Sequence, residues 1–149
     1  MKGLQGRLPS VPLLNSDGSI NNKNVVSYTV HKGRAISIDD AYVSTDFDFS
    51  GTMDFGKLTG YKSHSSLTVP LKSRGGEVIG ALQLINRKNE KTGQIEPFSD
   101  DINTLVRALA AQAARALHNH ELLTDQDSML NSLIRKNNYF SHDSNKSDF

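Results

Sequence analysis

From Ser66 to Asn86 two apolar stretches are joined by a turn, and that pair admits few folds. Leu67, Val69 and Leu71 alternate with Ser66, Thr68 and Lys72, the period of two that marks a strand. Arg74-Gly75-Gly76-Glu77 supplies turn residues, and Val78–Asn86 returns as a second strand. In the returning strand Val78, Gly80, Leu82 and Leu84 share one face, while Ile79, Ala81, Gln83 and Ile85 share the other. Both faces are apolar, so both are expected to be covered. Gln83 interrupts one of them. An unpaired buried amide costs about 1–3 kcal/mol, so Gln83 requires a partner, either another side chain or a ligand.

A long helix follows to cover the sheet. Ser99, with Asp100 and Asp101 behind it, makes a favourable N-terminus for the free amides and the helix dipole. Ile102, Leu105, Val106, Leu109, Ala113, Ala116 and Leu117 fall on one stripe at helical spacing. Steps of seven give Ile102, Leu109, Ala116, Leu123 and Leu130, with companions Val106, Ala113, His120, Asp127 and Ile134. That pattern supports pairing with a second copy over helix 100–123, and its polar companions confine a clean seam to the first half. Residues 125–134 are expected to continue this signalling helix. Residues 135–149, rich in Asn, Ser, Asp and Lys, are expected to be a disordered polar tail.

Ahead of the hairpin the signals are shorter. Asp17-Gly18 is a turn. Asn24 is placed to cap a helix over Val25, Val26, Tyr28 and Thr29 that stops at Gly33, and Ala35–Ile38 reads as a brief strand. Residues 43–62 interleave Asp46, Asp48 and Asp54 with Phe47, Phe49 and Phe55 among three glycines, the rhythm of a loop folded back as a lid.

Composition excludes several classes of function. With 17 Lys+Arg against 16 Asp+Glu, the net charge of +1 gives no basic nucleic-acid footprint. Zero cysteine removes disulfides, thiolate metal sites and a cysteine nucleophile. No apolar run reaches the ~18 residues of a membrane span and no signal peptide opens the chain, so the cytoplasm is the expected location. Gly51–Leu58 matches the spacing of a phosphate loop, but Leu58 stands where a hydroxyl must hold magnesium. His118 and His120 lie ~200° apart around a helix and cannot share a metal. Asp39-Asp40 and the loop carboxylates lack a histidine placed to complete a nucleophile–base set. The sequence therefore offers no catalytic residue, no metal site and no cofactor, and points to a non-enzyme.

Taken in order, Val25-Val26, Ile38-Asp39-Asp40-Ala41-Tyr42, Thr59-Gly60-Tyr61-Lys62-Ser63, Leu67–Leu71 and Val78–Asn86, with Phe98 and the alanine-rich helix, resemble a GAF domain. GAF domains are the small-molecule-sensing modules of cyclic-nucleotide phosphodiesterases and bacterial signalling proteins. Phe47–Thr52 and the stretch after Leu122 further resemble GAF domains placed ahead of HD-GYP domains. The resemblance covers residues 10 to 124. It implies an α+β fold, residues 1–124 forming the domain without its usual first helix and strand, so that the chain is expected to be truncated at both ends. The central sheet is antiparallel, with helices on one face and a ligand pocket under a loop lid on the other.

By the same resemblance the ligand-binding residues are Val25, Val26, Thr59, Ser63 and Gln83, with a cyclic nucleotide among the ligands. Asn86, Arg87, Phe98 and Asp101 correspond to a structural tie in which an Arg87–Asp101 ion pair replaces the usual Lys–Asp contact. Gly56 stands where nucleotide-binding members often carry an acid. The implied function is a sensory domain relaying ligand binding through its C-terminal helix to an output domain outside this chain. The alternatives are a ligand-free dimerisation module and the regulatory end of an HD-GYP cyclic-di-GMP phosphodiesterase.

Overall fold

A computed structural model of the protein describes residues 10–143, with side chains described as far as Leu133. Helix α1 (Val25–Lys32) leads into strand β1 (Ile36–Ile38), and helix α2 (Ser50–Thr59) precedes the hairpin of β2 (Ser66–Lys72) and β3 (Val78–Ile85). Helix α3 (Asp100–Asp143) closes the chain. The strands form one antiparallel sheet in the order β1-β2-β3, an α+β arrangement.

Local chemistry explains the first helix. Asn24 Oδ1 accepts from the Val26 and Ser27 amides at 2.9 and 3.1 Å, and Gly33 ends the helix at φ 59°. The hairpin registers Leu67 with Leu84, Thr68 with Gln83 and Val69 with Leu82. A bulge between Leu71 and Lys72 pairs Lys72 with Val78 but Leu71 with Gly80. Val78 therefore falls out of phase with Gly80, Leu82 and Leu84, and the alternation expected across the whole strand holds only from Gly80 onward.

Two apolar clusters occupy opposite faces of the sheet. On one, Leu67 and Val69 pack with Val106 and Ala110 of α3, flanked by Leu71, Leu82, Leu84, Phe98 and Ile102. On the other, Val25 of α1, Ile38 of β1, Ala41 and Phe49 pack together, with Val26, Ile36, Phe47 and Met53 around them. The segment expected to be a loop lid thus contains a helix, α2. Its phenylalanines divide: Phe47 and Phe49 turn inward, Phe47 meeting Tyr28 edge-on at 5.4 Å, while Phe55 stays exposed.

The expectation that both faces of β3 are covered is corrected. Ile79, Gln83 and Ile85 are exposed, because β3 is the sheet edge among the described residues and α1 with the 39–65 excursion covers only part of that face. The stripe on α3 also divides. Val106, Ala110 and Ala114 are buried at steps of four, whereas Leu105, Leu109, Ala113, Ala116 and Leu117 face outward. A helix lying on a sheet buries one narrow row, and steps of seven drift away from it. Helix α3 runs on through 135–143 where a disordered tail was expected, since no Pro or Gly follows Pro97 to stop it. Residues 144–149 lie outside the described residues.

Candidate functional site

Three of the five expected ligand residues come together. Val25 from α1, Ser63 from the approach to β2 and Gln83 from β3 line one cavity, shared with Thr52, His64 and Ser66. Its volume is about 70 Å³, room for a few waters or the edge of a ligand but not for one of ordinary size, which takes ~300 Å³ or more. Thr52, Ser63 and Ile85 also line a second, larger hollow of about 580 Å³. That hollow lies between residues 10–24 and the start of α2, and mixes Val11, Pro12, Phe55 and Tyr61 with Lys23, Asn24 and Asp48. The two hollows are a small cavity and a broad groove with common walls.

Val26 and Thr59 lie elsewhere. Val26 packs into the cluster around Val25. Thr59 finishes α2: its hydroxyl donates to the Phe55 carbonyl at 2.7 Å and accepts from the Tyr61 amide at 3.2 Å. It lines neither hollow.

Several polar side chains are buried near this site, though of the following five only Ser66 lines the cavity. Ser27, Thr29, Ser65, Ser66 and Thr68 are all buried. Ser27 donates to the Leu13 carbonyl at 2.9 Å, and Gln83 Nε2 donates to Thr68 Oγ1 at 2.9 Å. The Thr29 and Ser65 hydroxyls have no protein partner.

The Asn86 tie is tight. Asn86 sits at φ 57° directly after β3, where its Oδ1 accepts from the His64 amide at 2.7 Å and its Nδ2 donates to the Lys62 carbonyl at 2.8 Å. Its own amide donates to the Ser65 carbonyl at 2.7 Å. The edge of the sheet thereby fixes the segment carrying Ser63 and His64. The expected Arg87–Asp101 pair does not form: Arg87 Nη1 lies 3.0 Å from Glu96 Oε1 and donates to the Pro97 carbonyl at 2.8 Å. Glu96 is nearer because the strand exit folds back on itself through the Lys88–Ile95 bridge. Phe98 packs against the α3-side core.

Sequence reasoning missed His64. Its Nδ1 lies 3.1 Å from Asp40 Oδ1, its ring tilts against Tyr42 at 4.7 Å between centroids, and its carbonyl accepts from the Ala41 amide at 2.8 Å. The 24-residue separation of Asp40 and His64 hides the pair from any local motif. Asp48, on the groove wall, has its carboxyl held below its ordinary value by hydrogen bonds from the Ser50 hydroxyl and amide. Among the described residues, no group of three or more His, Asp or Glu gathers as a metal would need. Among the same residues, no helix is long and apolar enough to cross a membrane.

A family model described as GAF domain matches residues 5–117. The chain belongs to the GAF domain family. GAF domains are a regulatory and sensory domain type, generally non-catalytic. Over 100 residues this GAF domain is 34% identical to the dual 3',5'-cyclic-AMP and -GMP phosphodiesterase 11A of Takifugu rubripes, a match to 67% of the chain and 10% of that protein. Over 65 residues it is 32% identical to the dual cyclic-AMP and -GMP phosphodiesterase 11 of Drosophila melanogaster, covering 44% of the chain and 4% of the relative. The chain therefore spans a tenth or less of the curated relatives it matches. In fold it is similar to the GAF domain of an Acinetobacter phosphoenolpyruvate-protein phosphotransferase, with a TM-score of 0.50 and 17% identity over 75% of this chain and 61% of that one.

Gly56 now has a structural reason. A Cβ there would stand 3.0 Å from Tyr42 Oη and 3.2 Å from the Tyr61 carbonyl oxygen. A side chain there would require Tyr42 or the Tyr61 backbone to give way by a few tenths of an ångström.

Proposed function

We propose that this GAF domain is a sensory module that takes a small molecule, a cyclic nucleotide by class, at the junction of α1, α2 and the sheet. The observation that carries the reading is the convergence of Val25, Ser63 and Gln83 on a cavity whose walls continue into a groove of about 580 Å³. Apolar groups there can sandwich a base, while hydroxyls and amides reach its edge. The name of the fish relative supports the ligand class. Occupancy would be read through the sheet: β2 has Ser66 and Thr68 toward the cavity and Leu67 and Val69 against α3, so a shift of β2 is felt by the helix. The output domain that α3 would bias is then part of a longer protein. Calorimetric titration of the folded chain with cyclic AMP and cyclic GMP is expected to give a saturable heat with at least one of them. Titrations silent for both overturn the cyclic-nucleotide reading.

A second reading, an interaction module pairing with its own copy, is favoured by the outer face of α3. Leu105, Leu109, Leu123 and Leu130 are each at least half exposed and spaced four, fourteen and seven apart, with Ala116 midway across the longer interval. That is the recurrence of a coiled-coil seam. Sedimentation is expected to show a dimer that Leu109→Glu dissociates. A monomer at every concentration rejects it.

A further inference from the structure

The small cavity is lined by two polar side chains, each of which has a donor engaged and an acceptor atom without a protein partner. Gln83 directs Nε2 to the buried Thr68 hydroxyl at 2.9 Å. Its Oε1 has no protein donor among the described residues, and an amide oxygen can only accept. Asp40 Oδ1 lies 3.1 Å from His64 Nδ1 and accepts from the Tyr42 amide at 2.8 Å. A carboxylate oxygen only accepts, so in the neutral ring the proton resides on Nδ1 and Nε2 is left as an acceptor. Tyr42 against one ring face and the Asn86 bond to the His64 amide hold the imidazole in place. His64 and Gln83 line the same cavity of about 70 Å³.

We infer that His64 Nε2 and Gln83 Oε1 form an acceptor pair that reads an N–H donor edge, the amino-bearing edge of a purine, at the small end of the ligand site. The inference rests on the sensory reading for its ligand and adds what that reading leaves open, which chemical edge the small cavity takes. That cavity admits an edge and no more, and the rest of the molecule lies in the broad groove, where Phe55, Tyr61 and Lys23 stand. A purine bearing an amino group supplies N–H donors to both acceptors. Hypoxanthine puts a carbonyl oxygen in place of the adenine amino group, and an oxygen facing two acceptors is repelled. A well-placed bidentate pair discriminates by about 1–3 kcal/mol, or about 5- to 150-fold.

The full chain, labelled with ¹⁵N, carries the test. In its neutral form the His64 ring is expected to show protonated Nδ1 and bare Nε2. Millimolar adenine is expected to shift the His64 ring and Gln83 side-chain resonances, and hypoxanthine to leave them in place. With intact ligands, cyclic AMP is expected to bind at least fivefold more tightly than cyclic IMP. Asp40→Ala, which removes the oxygen facing Nδ1 and so releases the tautomer, should narrow that ratio while the far-UV spectrum stays unchanged. Protonated Nε2 in the wild type, or equal responses to adenine and hypoxanthine, overturns the acceptor pair. If adenine shifts both residues and neither cyclic nucleotide gives heat, the pair stands and the cyclic-nucleotide reading fails. If a cyclic nucleotide binds without moving His64 or Gln83, the sensory reading stands and the pair fails.

Discussion

Replacing Asn86 tests the connection between sheet edge and site most directly. The side chain is buried, makes hydrogen bonds of 2.7 and 2.8 Å to the His64 amide and Lys62 carbonyl, and hangs from a backbone at φ 57°. Asn86→Gly removes both bonds and keeps the backbone comfortable. Lys62 is exposed, so its carbonyl recovers a water partner and only the net bond is lost. The His64 amide is half-buried and recovers less. The two losses together come to about 2–4 kcal/mol. Asn86→Ala loses the same bonds and also places a Cβ in the left-handed region, which Asn tolerates better than Ala, adding about 1 kcal/mol. Against a total stability of roughly 5–15 kcal/mol, both changes are measurable without abolishing the fold. Urea unfolding followed by far-UV circular dichroism should give midpoints in the order wild type, Gly, Ala, with an unchanged slope. Equal midpoints for Gly and Ala would refute the backbone argument. A Gly variant within 0.5 kcal/mol of wild type, the ordinary spread of surface substitutions, would refute the tie itself.

Two helical glycines should respond with opposite signs. Gly51→Ala meets open space and should stabilise by about 0.5–1 kcal/mol, whereas Gly56→Ala meets Tyr42 Oη and the Tyr61 carbonyl and should destabilise by about 1–3 kcal/mol in thermal melts. Leu67→Ala, at 0% exposure between β2 and α3, should cost about 2–5 kcal/mol, and Ile79→Ala on the open face well under 1 kcal/mol, both read by urea unfolding. The Asp48 carboxyl is held below its ordinary value, so it favours the folded state above the unfolded aspartate value of about 3.9 and ceases to do so as pH falls through the lower folded value. Melting temperature should therefore drop more steeply for wild type than for Asp48→Asn below about pH 4 and run parallel above pH 5. Parallel curves down to pH 3 would contradict the assignment.

Some of this protein is written in short stretches of its chain. The Asn24 cap, the Gly33 stop, the 66–85 hairpin and the acidic start of α3 follow from backbone chemistry within a few residues, and the structure shows each of them. The ordered motifs also sufficed for the family and the α+β class. Gln83 is identifiable as a polar break in an apolar strand, but not its bond to Thr68, which depends on the pairing of β2 with β3. Tertiary structure alone decided the rest. It coiled residues 50–59 into a helix because Phe47, Phe49 and Met53 found α1 and β1 to pack on. It chose Glu96 over Asp101 for Arg87 through the fold-back after β3. It set Val106, Ala110 and Ala114 of α3 against the sheet and left the leucines of that helix in solvent, since only the row that touches the sheet is buried. And it brought His64 to Asp40 across 24 residues of chain, a contact that no periodicity encodes because it exists only once the β2 approach is pinned by Asn86.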